Sequence, residues 1–170
     1  WDPEKDEMLK FNYNKDYAEE GKWENKKVIC AEYGLNPNLP LFGFIGRFAG
    51  EKGADLLPEI AERSIQETNG SLKELQHRFN INLAIDLGYK EYLSHQIYAS
   101  SDFLLMPSRV EPCGLNQMYA MRYGTIPIVR YTGGLRDTVQ DISTGGSGLN
   151  FTNAGAEDAV HGIKRALHIY

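Results

Sequence analysis

A Rossmann-like α/β fold, with a parallel sheet covered by helices on both faces, is predicted by three features of the sequence. Short unbroken apolar runs of strand length recur at LPLFGFIG, INLAID, FLLMP and IPIV. Stretches with apolar residues at helical spacing alternate with them. Glycine or proline clusters punctuate the ends of the runs. A strand that reads as a continuous apolar run is buried on both faces, which is the habit of parallel sheets, and the intervening helices supply the crossovers that parallel pairing requires.

Taken in order, residues 1–16 mix Pro3, aromatics and charges without a sustained period and read as a linker. A short helix is expected over NKKVICAEYGL, with Val28, Ile29, Ala31 and Tyr33 apolar and Gly34 at its carboxyl end. The chain therefore divides into a linker with a short helix over 1–40 and a sheet-bearing domain over 41–170. In the latter, LPLFGFIGRF is a strand, and GADLLPEIAERSIQET is a helix with Leu56, Leu57, Ile60, Ala61 and Ile65 on one side. LKELQHRF is a short helix, INLAID a buried strand, YLSHQIYAS a helix and FLLMP a strand. GLNQMYAMRYG is a helix, IPIV a strand, LRDTVQDI a helical turn and AGAEDAVHGIKRALHIY a closing helix.

The length of 170 residues, with 42% hydrophobic and 24% charged, suits one compact domain with a real core. A net charge of -5 and a pI near 5.4, with Lys and Arg scattered among acids, point away from nucleic acid and anionic membrane surfaces as partners. A local group of cations can still hold a phosphate. The two cysteines, Cys30 and Cys113, are too few for a disulfide framework and have no second sulfur at metal spacing, so a reducing cytoplasm is the expected setting. No apolar run reaches membrane length, and the acidic opening WDPEKDEM is unlike a signal peptide and reads as sequence from within a protein.

In open parallel sheets, ligands sit outside the carboxyl ends of the strands. Four strand ends carry chemistry. GRFAGEKG brings Gly46, Gly50 and Gly53, where the backbone can approach a ligand, together with the cations Arg47 and Lys52. It is a seat for a diphosphate, or else a tight turn with two solvated cations; its glycine spacing is neither the dinucleotide fingerprint nor a P-loop. LGYKEYL leaves Tyr89 beyond a strand end, where its ring can stack on a base or pack on a neighbouring loop. SRVEPCGL precedes a helix expected to start near Gly114, so the N–H groups of Gly114, Leu115 and Asn116 can receive a phosphate. Glu111 lies just before that start, as a ligand-binding carboxylate or a helix cap. Cys113 would gain nucleophilicity at a helix start, but no histidine is fixed beside it by sequence, and it reads as a small buried packing residue. RYTGGLRD offers Thr132, Gly133 and Gly134 as a close-approach loop or an ordinary glycine turn. His77, His95, His161 and His168 fall on helices with no shared ligand spacing and read as surface or helix-end residues, so no metal is expected.

GRFAGEKGADLL, the stretch from GYKEYL through EPCGL to TGGLRDTV, and the opening WDPEKDEML together resemble the second half of bacterial glycogen synthases and plant starch synthases. The resemblance runs from Trp1 to Tyr170. It implies one half of a retaining glycosyltransferase of the GT-B fold that transfers glucose from ADP-glucose to the non-reducing end of an α-1,4-glucan, without a cofactor. WDP would begin the interdomain linker, and most of the acceptor groove would lie in an N-terminal domain not represented here. By the same resemblance Arg47 and Lys52 hold the diphosphate, Tyr89 stacks on adenine, and Glu111 binds glucose hydroxyls. Cys113, Gly114 and Leu115 shape that loop, and the loop of Thr132, Gly133 and Gly134 closes over the donor. Asn116 stands where the family often has Thr. Between Asn69 and LKELQ roughly 15 residues that the family has, about one strand with its connections, do not appear, either by a true deletion or because the sequence is joined across an omitted segment. Two other readings remain open: a UDP-glucose-dependent transferase, and a nucleotide- or glucan-binding module without catalysis. The isolated domain is expected to be inactive alone.

Overall fold

The computed structural model describes residues 1–67, 86, 88 and 90–170. The helices are α1 (Ala18–Tyr33), α2 (Leu57–Glu67), α3 (Glu91–Ser100), α4 (Asn116–Arg122), α5 (Gly133–Thr138) and α6 (Ala156–Ile169). The strands are β1 (Phe42–Gly43), β2 (Phe103–Met106), β3 (Ile126–Arg130) and β4 (Leu149–Phe151). They form one sheet in the order β1-β2-β3-β4, parallel throughout, with Phe103 opposite Ile126 and Ile128 opposite Leu149. The expected fold class is the one observed. Residues 81–85 of the expected strand INLAID, the helix LKELQHRF, Tyr89 and His77 lie outside the described residues.

Successive strand side chains point to opposite faces, and here both faces are buried, which is why these strands read as unbroken apolar runs. On one face Leu104, Met106 and Val129 pack with Tyr98 and Ala99 of α3, Ala120 of α4, and Leu135 of α5. On the other, Phe103, Leu105, Ile128, Leu149 and Phe151 pack with Ile60 of α2 and with Ala156, Ala159, Val160, Ile163 and Ala166 of α6. β4 escapes the sequence reading because it is three residues long and carries Asn150 at its centre. Asn150 keeps its place by donating from Nδ2 to the Val139 carbonyl at 3.1 Å.

Residues 1–16 are irregular, as their sequence suggests, yet they are packed against the sheet-bearing unit. Leu9 and Tyr13 are buried, and the Tyr13 hydroxyl donates to the Tyr123 carbonyl at 2.8 Å. Trp1 stacks between His95 and Tyr119, with ring centroids 3.7 and 4.2 Å away. Asp6 is buried, receives the Tyr123 hydroxyl at 2.5 Å and lies 2.6 Å from His95 Nδ1. Burial alone would raise the Asp6 carboxyl; the bonds from Tyr123, His95 and the Met8 N–H outweigh it and hold the carboxyl below its ordinary range. His95 is therefore a buried partner of Asp6 and not a surface or helix-end residue, because α3 turns this position inward onto the N-terminal segment.

α1 starts at Ala18, well before the expected NKKVICAEYGL. Its buried residues are Gly21, Asn25, Lys26, Ile29 and Cys30, so three of the five buried positions carry no apolar side chain. Gly21 is needed there: a Cβ would fall 2.3 Å from Tyr13 Cβ. Lys22 reaches under the carbonyl end of α3, donating to Ser101 O at 2.8 Å and Thr125 Oγ1 at 2.7 Å. Lys26 pairs with Asp102 at 2.6 Å, and the same Asp102 oxygen accepts the Leu41 N–H at 2.7 Å. These contacts tie α1 to the amino ends of the strands and leave the carboxyl ends open. Among the described residues no helix is long and apolar enough to cross a membrane.

Candidate functional site

Because all four strands run the same way, the loops after β1, β2 and β3 emerge on one edge of the sheet. The first makes a single tight turn over Gly50–Lys52 and ends on Gly53, whose φ of 70° is left-handed. A Cβ on Gly53 would meet the Pro107 carbonyl oxygen at 2.2 Å, so glycine is required both by its conformation and by the second loop pressed against it. The two loops are bonded backbone to backbone: the N–H groups of Arg109 and Val110 donate to the Glu51 carbonyl at 2.8 and 3.2 Å.

This seam places Lys52 Nζ 2.6 Å from Glu111 Oε2. The Glu111 side chain is 7% exposed and that of Lys52 25%, so the pair joins a buried carboxylate to a partly exposed lysine at the rim of the domain. Ser108 Oγ approaches the same carboxylate oxygen at 3.3 Å. Arg47 is exposed and pairs with the Glu51 carboxylate four residues on. Glu51 thus binds Arg47 through its side chain and the residues flanking Glu111 through its carbonyl, which puts Arg47, Lys52 and Glu111 on a shared rim.

The third loop closes on the second by the same device. The Gly134 N–H donates to the Glu111 carbonyl at 2.9 Å. A Cβ on Gly133 would lie 2.1 Å from that carbonyl oxygen, and one on Gly134 would lie 1.9 Å from the Cys113 oxygen. Thr132 precedes them in extended conformation at the start of α5. Gly114 adopts φ 72°, turning the chain out of the loop before α4 begins at Asn116, two residues later than expected. Glu111 does not cap α4; its carboxylate is taken by Lys52. Asn116 donates from Nδ2 to the Ile45 carbonyl at 2.8 Å, so its amide braces the approach to Gly46 and Arg47. Cys113 is exposed and not a buried packing residue: its carbonyl, against Gly134, makes the close contact. Leu115 is half-exposed at the same rim.

The model of the family described as "Glycosyl transferases group 1" matches residues 25–170. The chain belongs to that family. Its relatives include a glycogen synthase of Flavobacterium johnsoniae, 46% identical over 186 residues that take in 100% of this chain and 39% of the relative. A glycogen synthase of Exiguobacterium sibiricum is 42% identical over 99% of the chain and 38% of its own length. Among solved structures, the catalytic domain of starch synthase IV from Arabidopsis thaliana, bound to ADP and acarbose, superposes with a TM-score of 0.84 at 35% identity, covering 100% of this chain and 39% of that one. A sucrose-phosphate synthase from Thermosynechococcus elongatus, with a TM-score of 0.63 at 21% identity over 95% of this chain and 41% of its own, shares the fold. The chain thus spans about two fifths of the length of the curated relatives it matches.

Other residues of this group 1 domain hold the rim without having stood out in the sequence. Arg109 donates to the Gly50 carbonyl at 2.6 Å and to both oxygens of Asp55, at 2.6 and 2.9 Å. Arg130, at the end of β3, reaches the carbonyls of Arg109 and Thr152 at 2.8 and 3.1 Å. Loop carbonyls at a sheet edge lack ladder partners and need donors from somewhere, and that accounting is the one signal that points to an arginine in or beneath each loop. A hollow of about 620 Å³ lies elsewhere, at the amino ends of the strands beside Trp23, Lys26, Asp102 and Tyr170, and contains none of the rim residues. Among the described residues no group of three or more His, Cys, Asp or Glu is arranged to hold a metal.

Proposed function

We propose that this chain is the donor-binding half of a glycogen or starch synthase, transferring glucose from ADP-glucose to the non-reducing end of an α-1,4-glucan with retention at the anomeric carbon. One observation carries the reading: a buried carboxylate, Glu111, is held at 2.6 Å by the ammonium of a partly exposed lysine, Lys52, where three glycine loops meet. Cleaving a sugar–phosphate bond leaves negative charge on the departing ADP and positive charge on the sugar. Lys52 and Arg47 supply fixed positive charge for the diphosphate, while Glu111 accepts hydrogen bonds from glucose hydroxyls and orients the anomeric carbon. Charge placed in advance where it develops is among the largest contributions to catalysis, on the order of a hundredfold in rate for each donor. Cys113, Gly114 and Leu115 shape the loop around Glu111, the N–H groups of Gly114, Leu115 and Asn116 receive a donor phosphate, and Thr132, Gly133 and Gly134 close over the donor. Tyr89 stacks on adenine.

The acceptor glucan binds mainly through parts of the longer protein, so this chain alone binds ADP or ADP-glucose but turns over little. No cofactor or metal takes part, no nucleic acid or membrane is a partner, and the unpaired Cys30 and Cys113 suit a cytoplasmic setting. The adenine preference draws support from the 35% identical structure that holds ADP. Calorimetric titration of the full-length protein with ADP, UDP and ADP-glucose tests the reading, alongside transfer from labelled donor to glucan. Affinity for the adenine ligands with transfer is expected. Preference for uridine would move the donor to UDP-glucose, and no affinity for any nucleotide would leave a binding or scaffolding module in place of an enzyme.

A further inference from the structure

Gln117 stands on α4 one turn beyond Gly114 and is wholly buried. Its Nε2 faces three acceptors: the carbonyls of Cys113 and Gly114 at 3.2 and 3.0 Å, and Thr138 Oγ1 at 3.0 Å. Thr138 in turn donates its hydroxyl to the Gly134 carbonyl at 2.6 Å. One side-chain amide therefore spans the loop after β2 and the short helix that opens with Gly133. The other end of the amide gains nothing comparable. Oε1 is buried without a hydrogen-bond partner, and a Cβ added to Gly114 would lie only 2.6 Å from it.

A buried acceptor left unmet is destabilising, and an apolar side chain of similar volume would avoid it. What Nε2 orders explains why an amide occupies the position. In a trans peptide the C=O and the following N–H point in opposite directions within one plane, and no peptide of the described residues is cis. Turning the carbonyls of Cys113 and Gly114 inward onto Gln117 therefore turns the N–H groups of Gly114 and Leu115 away from it, out of the buried side of α4. Two successive N–H groups facing the same way make a concavity suited to an anionic oxygen.

We propose that Gln117, through Thr138, is a positioning residue that presets the Gly114 and Leu115 amides and the Gly133–Gly134 turn for a phosphate oxygen of the donor. The inference rests on the donor-binding reading above. In the full-length protein, Gln117→Leu keeps most of the volume and removes the donor, Thr138→Val removes the hydroxyl, and Thr138→Ser restores it. Calorimetry with ADP and steady-state kinetics with ADP-glucose are the readouts. Gln117→Leu and Thr138→Val should each weaken ADP binding about tenfold, raising KM for ADP-glucose more than they lower kcat. Thr138→Ser should recover most of the affinity lost in Thr138→Val. A merely structural role would lower the unfolding temperature and leave the affinity of the folded fraction unchanged. If wild type binds ADP and both variants bind it equally well, the positioning role is wrong while the donor site stands. If wild type binds no nucleotide, the donor reading falls and this inference with it. Should Gln117→Leu fail to fold, the Thr138→Val and Thr138→Ser pair decides alone.

Discussion

Lys52→Ala separates the two roles that the rim assigns to one ammonium. In the folded chain that ammonium neutralises a carboxylate 7% exposed, from 2.6 Å, with Ser108 Oγ at 3.3 Å the next contact to the same oxygen. Removing one partner of a fully buried pair costs roughly 3–5 kcal/mol. Lys52 is a quarter exposed, so water can approach the stranded carboxylate and the loss of stability should be nearer 1–3 kcal/mol. The effect on turnover is separate: on the proposed donor role the same charge would balance the leaving diphosphate, and its loss should cost about a hundredfold or more in rate. Lys52→Ala with Glu111→Gln relieves the stranded charge and should regain most of the lost stability without regaining turnover. Denaturant unfolding and transfer from labelled ADP-glucose, run on the full-length single and double variants, read the two quantities apart. If Lys52→Ala lowers stability but leaves turnover of the folded fraction unchanged, Lys52 is a structural counterion only, and the electrostatic argument fails.

Gly134→Ala places a methyl where the Cys113 oxygen already lies 1.9 Å away, so the second and third loops must part; ADP binding measured by calorimetry should fall at least tenfold, and unchanged affinity would mean the loops do not meet in solution. Arg109→Lys keeps the charge but loses the paired contact to both oxygens of Asp55, so KM for ADP-glucose should rise severalfold with little change in unfolding midpoint. The Arg165 guanidinium, bonded to Asp141 at 2.6 and 3.0 Å, holds that carboxyl far below its ordinary value, helped by Ser143 and the Asn150 N–H. A depressed carboxyl stabilises the fold above its unfolded pKa near 3.8, and that stabilisation is lost as pH falls below it. Asp141→Asn should therefore cost about 1–3 kcal/mol at pH 7 and progressively less below pH 4, read from unfolding curves across that range.

The parts of the fold that were legible in the sequence are those where burial and chain period agree. FLLM and IPIV are covered on both faces, and their letters say so. α1 is only half legible, because Gly21 and Asn25 occupy core positions for steric and hydrogen-bonding reasons that leave no apolar rhythm. β4 is hidden by its length and by Asn150. At the rim, Gly53, Gly133 and Gly134 could be singled out because only glycine tolerates such close approach of backbone to backbone. Arg109, Gln117 and Arg130 could not, since their partners are carbonyls brought near by folding and no spacing within the chain announces them. Asp6 and His95 were missed for the same reason, lying 89 positions apart in sequence.

The three loops at the carboxyl edge are bonded to one another as closely as to the strands they extend: Glu51 to Arg109 and Val110, Glu111 to Gly134, Asn116 to Ile45. For engineering, they behave as one exchangeable cassette. Grafting a single loop from a homologue to alter sugar choice would leave its seams with the other two mismatched, whereas transplanting all three together preserves every seam. Combinatorial libraries aimed at this edge should therefore vary the segments jointly, and recombination crossovers belong in the helices between them.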